Sequence, residues 1–597
     1  MSFVFCSARR RIILLAALLL TPQIAAAAPP PPMPALFPEK AIAFAEINGL
    51  DSKLEQLRTS DLLASWFRSP QYQRYAASSD YRKLTAALQI VERQLGWDAW
   101  TTAKKLFGGR VAVGVYPKEG SERPDVLIII RPPEPTVLAD LRQRLDPILV
   151  LAEEQIPRTE TLDGLEILSF LGDAVVAAHG DDWLAVSTKR TLLDEAVRRL
   201  TGEPEGESSA GLAESTSYQT MATSVAWDRP DNGPDEEQIL RVFVDTGLLN
   251  KSTGGRPLPE KLDNPLGSLL FGDVVESLRT SPFAAATVDA SANGLLITAA
   301  VARDAEKLDG AHEAFVPAEG QGVLPPPRVP NLMGAFSLYR DFAHWYTHRE
   351  ELLQDQVLPG FDKFETGLAN ILPGRDFGQD VLPLIGKRIT FVAAPQDYAH
   401  LDGTPGVKLP GMAVIVELAR PDEAASLLQL FFQTLAAILN LEAGQQGRQP
   451  WVVASEAYRD VQVSYARYLQ KPAGENLGIV YNFLPASARV GDRFILSSSL
   501  PLCKQLIDSL HEANGSTEIA ATPHTMRGEL RFDSLTSLIE SDADFFVGRM
   551  AQEGRTTEEA RAEFAALLDL LRGFNSLKAT TEVLPNVFQL RLEGSWK

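Results

Sequence analysis

Hydrophobic positions along this chain follow two rhythms, and their order predicts its architecture. Large and small side chains alternate over residues 41–47, the period of a strand with one closely packed face. Leu84, Leu88, Val91 and Leu95 return at helical spacing. Residues 111–115 read as a strand, and 126–130 are wholly apolar, which predicts a central strand covered on both faces. A helix over 135–151 opens on a proline in its first turn. Three strands follow as a meander at 165–170, 174–179 and 183–187, the last two joined through His179-Gly180-Asp181-Asp182 as a hairpin. A helix at 190–200, a strand at 239–245, a helix within 262–278 and two closing strands at 283–289 and 295–303 complete the series.

The series is then written again. Gly96, Asp98, Leu106, Gly108 and Arg110 recur 278 residues later as Gly374, Asp376, Leu384, Gly386 and Arg388. Strand 334–339 answers the first strand, 342–357 and 364–372 answer the helices, and 412–418 with Arg420-Pro421-Asp422 answers 126–130 and its helix start. The turn at 490–496 answers 179–185, and 576–583 with 587–593 answers the closing hairpin. The second series differs in an insertion, with a loop at 443–447 and extra or longer strands at 451–455, 461–465 and 478–483. Short turns between consecutive strands require antiparallel pairing, and amphipathic helices need a sheet face to bury. The expected fold is α+β, two tandem repeats, each a largely antiparallel sheet packed by amphipathic helices. Expected boundaries are a signal peptide at 1–28, a proline-rich tether at 29–36, repeat domains at 37–316 and 331–597, and a Pro/Gly linker at 317–330.

Composition adds compartment and exclusions. Hydrophobic content of 45% and charged content of 22% are those of a folded globular protein. Arg9-Arg10-Arg11, nine apolar residues from Ile12 to Leu20 and the small residues Ala25 to Ala28 read as a secretory signal, too short to span a bilayer. Its removal implies a periplasmic or extracellular protein with one cysteine, Cys503, set in an apolar helical pattern as a small hydrophobe. No later segment reaches eighteen unbroken apolar residues, so no transmembrane segment is expected in the mature chain. The net charge of −20 becomes about −23 once the signal's three Arg are gone, which repels nucleic acid and anionic lipid headgroups and favours solubility or basic partners.

The segment Phe37-Pro38-Glu39-Lys40-Ala41-Ile42-Ala43-Phe44 and the later block from Leu106 to Val113 resemble a group of uncharacterised exported bacterial proteins, known as a domain of unknown function. The resemblance covers the first half and, more faintly, the second. It implies no catalytic or binding residues.

His344 and His348, four apart, place two imidazoles on one helix face, a spacing that suits zinc. A zincin would carry Glu after the first His, where Trp345 stands. Arg110 and Arg388 recur, either as anion-binding residues or as ties to a neighbouring carbonyl or carboxylate. Asp98 and Asp376 suit helix capping, as do Ser187-Thr188 and Ser497-Ser498-Ser499 at strand ends entering helices. No nucleophile elbow, phosphate-binding glycine loop or Cys-x-x-Cys is present. The reading is an exported non-catalytic cell-envelope protein, without cofactor, that binds a protein partner or an apolar ligand. The alternative is a periplasmic hydrolase or metal-dependent enzyme built around His344 and His348.

Overall fold

A computed structural model describes residues 31–597 except 119, 122, 152–157, 163–164, 171–173, 203–209, 226–237, 253–257, 304–309, 319–320, 370, 373 and 516–523. The residues read as the signal, 1–28, lie outside the described residues.

The chain is α+β, and its organising feature is one large antiparallel sheet. In the first half its strands are β1 (Ala43–Asn48), β2 (Arg110–Tyr116), β3 (Asp125–Arg131), β4 (Arg158–Leu162), β5 (Leu165–Phe170), β6 (Val175–His179), β7 (Leu184–Ser187), β8 (Gln238–Asp245), β9 (Phe283–Ser291) and β10 (Gly294–Ala302). In the second they are β11 (Gly334–Tyr339), β12 (Ile385–Ala394), β13 (Gly411–Leu418), β14 (Trp451–Tyr458), β15 (Val461–Tyr468), β16 (Ala486–Val490), β17 (Arg493–Ser497), β18 (His524–Arg531), β19 (Phe574–Val583) and β20 (Val587–Trp596).

Pairing gives the order β4-β5-β6-β7-β3-β2-β1-β8-β9-β10 in the first half. The second half continues it as β20-β19-β18-β11-β12-β13-β17-β16-β15-β14. Read from the far edge inward, the second order is the first with ten added to every number. The halves meet where β10 pairs antiparallel with β20, from Gly294 opposite Ser595 to Ala302 opposite Val587. Two short strands, Asp402–Pro405 and Ala473–Leu477, form a separate parallel pair.

Helices cover both faces. Among them are α1 (Ser79–Leu95), α2 (Thr136–Leu151), α3 (Arg190–Thr201), α4 (Pro265–Thr280), α5 (Pro421–Gln445), α6 (Leu500–Gly515) and α7 (Thr557–Arg572). In the first half Leu193, Ala196 and Val197 of α3 join Phe44, Leu127, Ile129 and Phe243 in one core. In the second, Leu502, Cys503, Leu506 and Ile507 of α6 join Val392, Ala413, Ile415 and Ile495. Strand alternation puts Phe391, Val414 and Leu496 on the opposite face, where Ala424 and Leu427 of α5 pack with Leu418 and Phe494.

Local chemistry explains the matching blocks. Gly96 and Gly374 both adopt left-handed φ, at 65° and 75°, which glycine reaches without a Cβ penalty. Asp98 accepts from the Thr101 amide at 2.6 Å and Asp376 from the Gln379 amide at 2.7 Å, so both cap the turn that follows, as expected.

Several expectations need correction. Residues 478–483 are not a strand: Ile479–Asn482 is a 3-10 turn. Residues 443–445 extend α5 rather than open a loop. The two other insertion strands, β14 and β15, hold the edge positions that β4 and β5 hold in the first half, and β4 itself was not foreseen. The helix over 342–357 breaks at His348, where Phe342–Thr347 ends and Arg349–Leu352 begins. Ser187 and Thr188 do not cap α3, whose cap position is Lys189. They tie strands instead: the Ser187 hydroxyl reaches the Val126 and Lys189 carbonyls, and Thr188 Oγ1 accepts from the Val126 amide. Ser497 and Ser498 do the same at Met412 and Ser499. The segment before β11 is built in, with Val323 and Val329 buried and the Arg328 amide bonded to Ser509 Oγ.

Two measurements follow. A Cβ on Gly109 would stand 2.2 Å from the Arg131 carbonyl oxygen. Gly109→Ala should therefore lower the denaturant midpoint at unchanged slope, by about 1–3 kcal/mol of overpacking. Burial pushes the Cys503 thiol up to about 12. The unfolded thiol titrates near 8.5, so with rising pH the unfolded chain loses its proton first. The group's contribution is whole below about pH 8.5 and is lost as pH climbs toward the folded value. Cys503→Ala should flatten the decline of stability above about pH 8.5, and equal slopes in the two proteins would contradict this.

Candidate functional site

The helix α5 creates the site by leaning away from the sheet. It starts on Pro421 with Asp422 and Glu423 in its first turn, where a fixed φ and negative charge both suit a helix N-terminus. Its first turns are packed on Leu418 and Phe494. Its last turns are held elsewhere: Asn440 Nδ2 donates to the Trp451 carbonyl at 2.8 Å, and the Trp451 amide donates to Asn440 Oδ1 at 2.6 Å. Fixed at both ends, the helix bridges the concave face of β11, β12, β13 and β17.

Beneath it lies a cavity of about 860 Å³, within the roughly 300–1,000 Å³ typical of small-molecule sites. Phe432, Leu435, Ala436 and Leu439 form its roof, and Phe336, Phe391, Val414 and Leu496 its floor. Phe391 and Met412 stay 45% exposed although they lie in a sheet interior, because the cavity side has nothing packed against them.

Val480, Tyr481 and Phe483 make the third wall. That wall hangs on Asn482, whose side chain is buried and fully used. Asn482 Nδ2 donates to the Val407 and Ile479 carbonyls, both at 2.9 Å, while Oδ1 accepts from the Leu409 amide and the Tyr398 hydroxyl. Burial pushes the Tyr398 phenol up to about 12, so it remains a donor to Asn482. Trp451 and Tyr468, opposite each other in the β14–β15 register, stand at the mouth with Arg448, and Tyr481 packs its ring 5.6 Å from that of Tyr468.

The polar groups of the wall are mostly committed. Ser497 donates to the Ser499 carbonyl, and Ser498 accepts from the Met412 amide. Glu529 accepts from Arg531, and Glu442 from Gln446. Arg448 donates through Nη2 to Gln446 Oε1, while its Nε is buried without an acceptor. The lining holds no His, Cys or Asp, and its two carboxylates, Glu442 and Glu529, accept from Gln446 and Arg531.

The sequence-predicted residues lie elsewhere. His344 and His348 stack with ring centroids 4.1 Å apart. His344 Nε2 is 2.7 Å from the Gly310 carbonyl oxygen and His348 Nδ1 is 2.9 Å from that of His344. Among the described residues no group of three His, Cys, Asp or Glu side chains is gathered for a metal. Arg388 Nε lies 3.3 Å from Glu417, a carboxylate shared with Arg493 at 3.6 Å. Arg110 is exposed at the start of β2, opposite Arg131. Eight strands separate β2 from β12, so Arg110 and Arg388 share no site.

Outward, α5 exposes Leu430, Ile438 and Leu441, the last at 68%. By length and composition it is long and apolar enough to cross a membrane, and 22% of its most apolar stretch is buried.

No family model and no curated protein matches the chain. Among solved structures it is similar to crystal form I of TP0453, at 8% identity and a TM-score of 0.22, over 48% of this chain and 82% of that one. Crystal forms III and IV of TP0453 give 7% and 8% identity at the same TM-score, over 46% and 45% of this chain and 82% and 79% of theirs.

Proposed function

We propose that this is an exported, non-catalytic protein of the cell envelope that binds an acyl-chain ligand beneath α5. The observation that carries the reading is the 860 Å³ cavity, walled by Phe336, Phe391, Val414, Leu435 and Leu496. Such a space favours apolar surface. The exposed leucines and isoleucine on the outer side of α5 give its roof apolar character on both sides. That suits an element that meets lipid as well as covering it. The exported location rests on the basic, apolar and small-residue segments at the N-terminus.

The same reading includes descent from a duplicated module. Its support is the strand order, which repeats with ten added. A second support is the matching hydroxyl ties of Ser187 and Thr188 at Val126 and of Ser497 and Ser498 at Met412.

Leu435→Trp places an indole in the cavity and tests the reading. Purified, delipidated protein should bind an environment-sensitive acyl probe at one site per chain. The Trp variant should lose at least about tenfold in affinity, roughly 1.4 kcal/mol, while its circular dichroism is unchanged. Undiminished binding in the variant would remove the cavity from the proposal.

A further inference from the structure

The apolar-ligand reading leaves open what the far end of the ligand carries, and the mouth of the cavity addresses it. We propose that the ligand is a single-chain amphiphile with an anionic head, a carboxylate or a phosphate, held at Arg448 while its chain lies under α5. The inference rests on the reading above and adds the chemistry of the head.

Arg448 is the cation of the cavity wall. It follows Gly447, whose φ of 67° turns the chain back as α5 ends, and its own amide bonds the Ala443 carbonyl at 2.8 Å. The guanidinium is therefore tethered to the helix end rather than free on a long loop. Nη2 is taken by Gln446 at 2.6 Å. Nε is buried without an acceptor, so the charge of the guanidinium is only partly matched within the protein. A neutral chain would leave it so. A carboxylate or phosphate would supply the opposite charge and accept a charge-assisted bond from the guanidinium.

The rest of the cavity fixes the orientation. Its floor and roof offer no donor for a buried anion, so the head stays at the mouth. There Trp451 and Tyr468 present rings with a polar edge, as aromatic side chains do where an apolar region meets water. Tyr468 and Arg448 line the same cavity. Two acidic residues also line the cavity, Glu442 and Glu529, and each already accepts a hydrogen bond, from Gln446 and Arg531.

Three ligands with one chain and different heads test the proposal on the delipidated mature protein: oleate, oleyl phosphate and oleyl alcohol, each titrated by displacement of the acyl probe. The two anions are expected to bind at least about tenfold more tightly than the alcohol, roughly 1.4 kcal/mol. Arg448→Gln should bring both to the affinity of the alcohol without moving the alcohol itself, and Arg448→Lys should keep part of the preference. Whichever anion binds tighter identifies a fatty acid or a phosphate-bearing lipid as the source. Equal affinity for all three, or a preference that survives Arg448→Gln, would overturn the head-group assignment and leave the apolar reading standing. Failure of all three to displace the probe would overturn both.

Discussion

The structure depends on the backbone pairing between β10 and β20. Each half of the sheet ends in a hairpin, β9–β10 or β19–β20, and the outer strand of that hairpin presents a row of unpaired amides and carbonyls. Such an edge invites association with other chains. Here the two edges satisfy each other over nine residue pairs, from Gly294–Ser595 to Ala302–Val587. Both strands have Val, Leu, Ile or Phe at alternate positions near the junction, so the seam joins side chains as well as backbone. The sheet that results is wide enough to carry helices on both faces in both halves. Further contact comes from Phe315 and Leu269 of the first half, which pack with Trp345, Tyr346 and Leu382 of the second.

Within that frame the cavity follows from two anchors on one helix. Apolar packing near Ala424 and Leu427 holds the start of α5 to the sheet, and the paired bonds of Asn440 to Trp451 hold its end to β14. Between them the helix cannot settle onto Phe391 and Met412. A protein interior usually closes such a gap, because an empty cavity forfeits dispersion contacts. Keeping it open needs rigid supports, and the fully bonded Asn482 is the third of them. The buried polar residues of this region thus act as spacers that keep apolar walls apart.

Much of the fold was legible in the sequence because it is written in short-range signals. The Gly-x-Asp blocks specify a left-handed residue and a helix cap, and both are found. The hairpin at Gly180 is explicit, since a Cβ there would meet the Trp183 indole at 2.5 Å. The site was not legible. Asn482 lies in an apolar run, Ile479-Val480-Tyr481-Asn482-Phe483, that reads as a strand. Its turn exists because four partners from residues 398–409 and 479 converge on one amide, and no local pattern encodes them. Of the recurring pair, Arg388 sits in an ion pair with Glu417 and Arg110 is an exposed residue at the start of β2. Arg448, outside the recurring blocks, lines the cavity and has a buried Nε without an acceptor. Recurrence in the sequence therefore marks positions of the framework and not the cavity.

On the duplication proposed above, the difference has a simple measure. Among the described residues the helix after β3, α2, has 16, whereas α5, its counterpart after β13, has 25. Nine further residues add about 13 Å of rise. That length carries the end of α5 past the sheet strands beneath it and on to Trp451 at the start of β14. A helix of the shorter length could not reach this second anchor from the same start, and without the anchor nothing would hold the roof away from the floor. The extra residues, 437–445, also bring in Leu439, Glu442 and Ala443 of the cavity lining and the turn that presents Arg448. Lengthening one existing element therefore supplies the far end of the roof, its outer support and the charged mouth together, with no change to the sheet that both halves need.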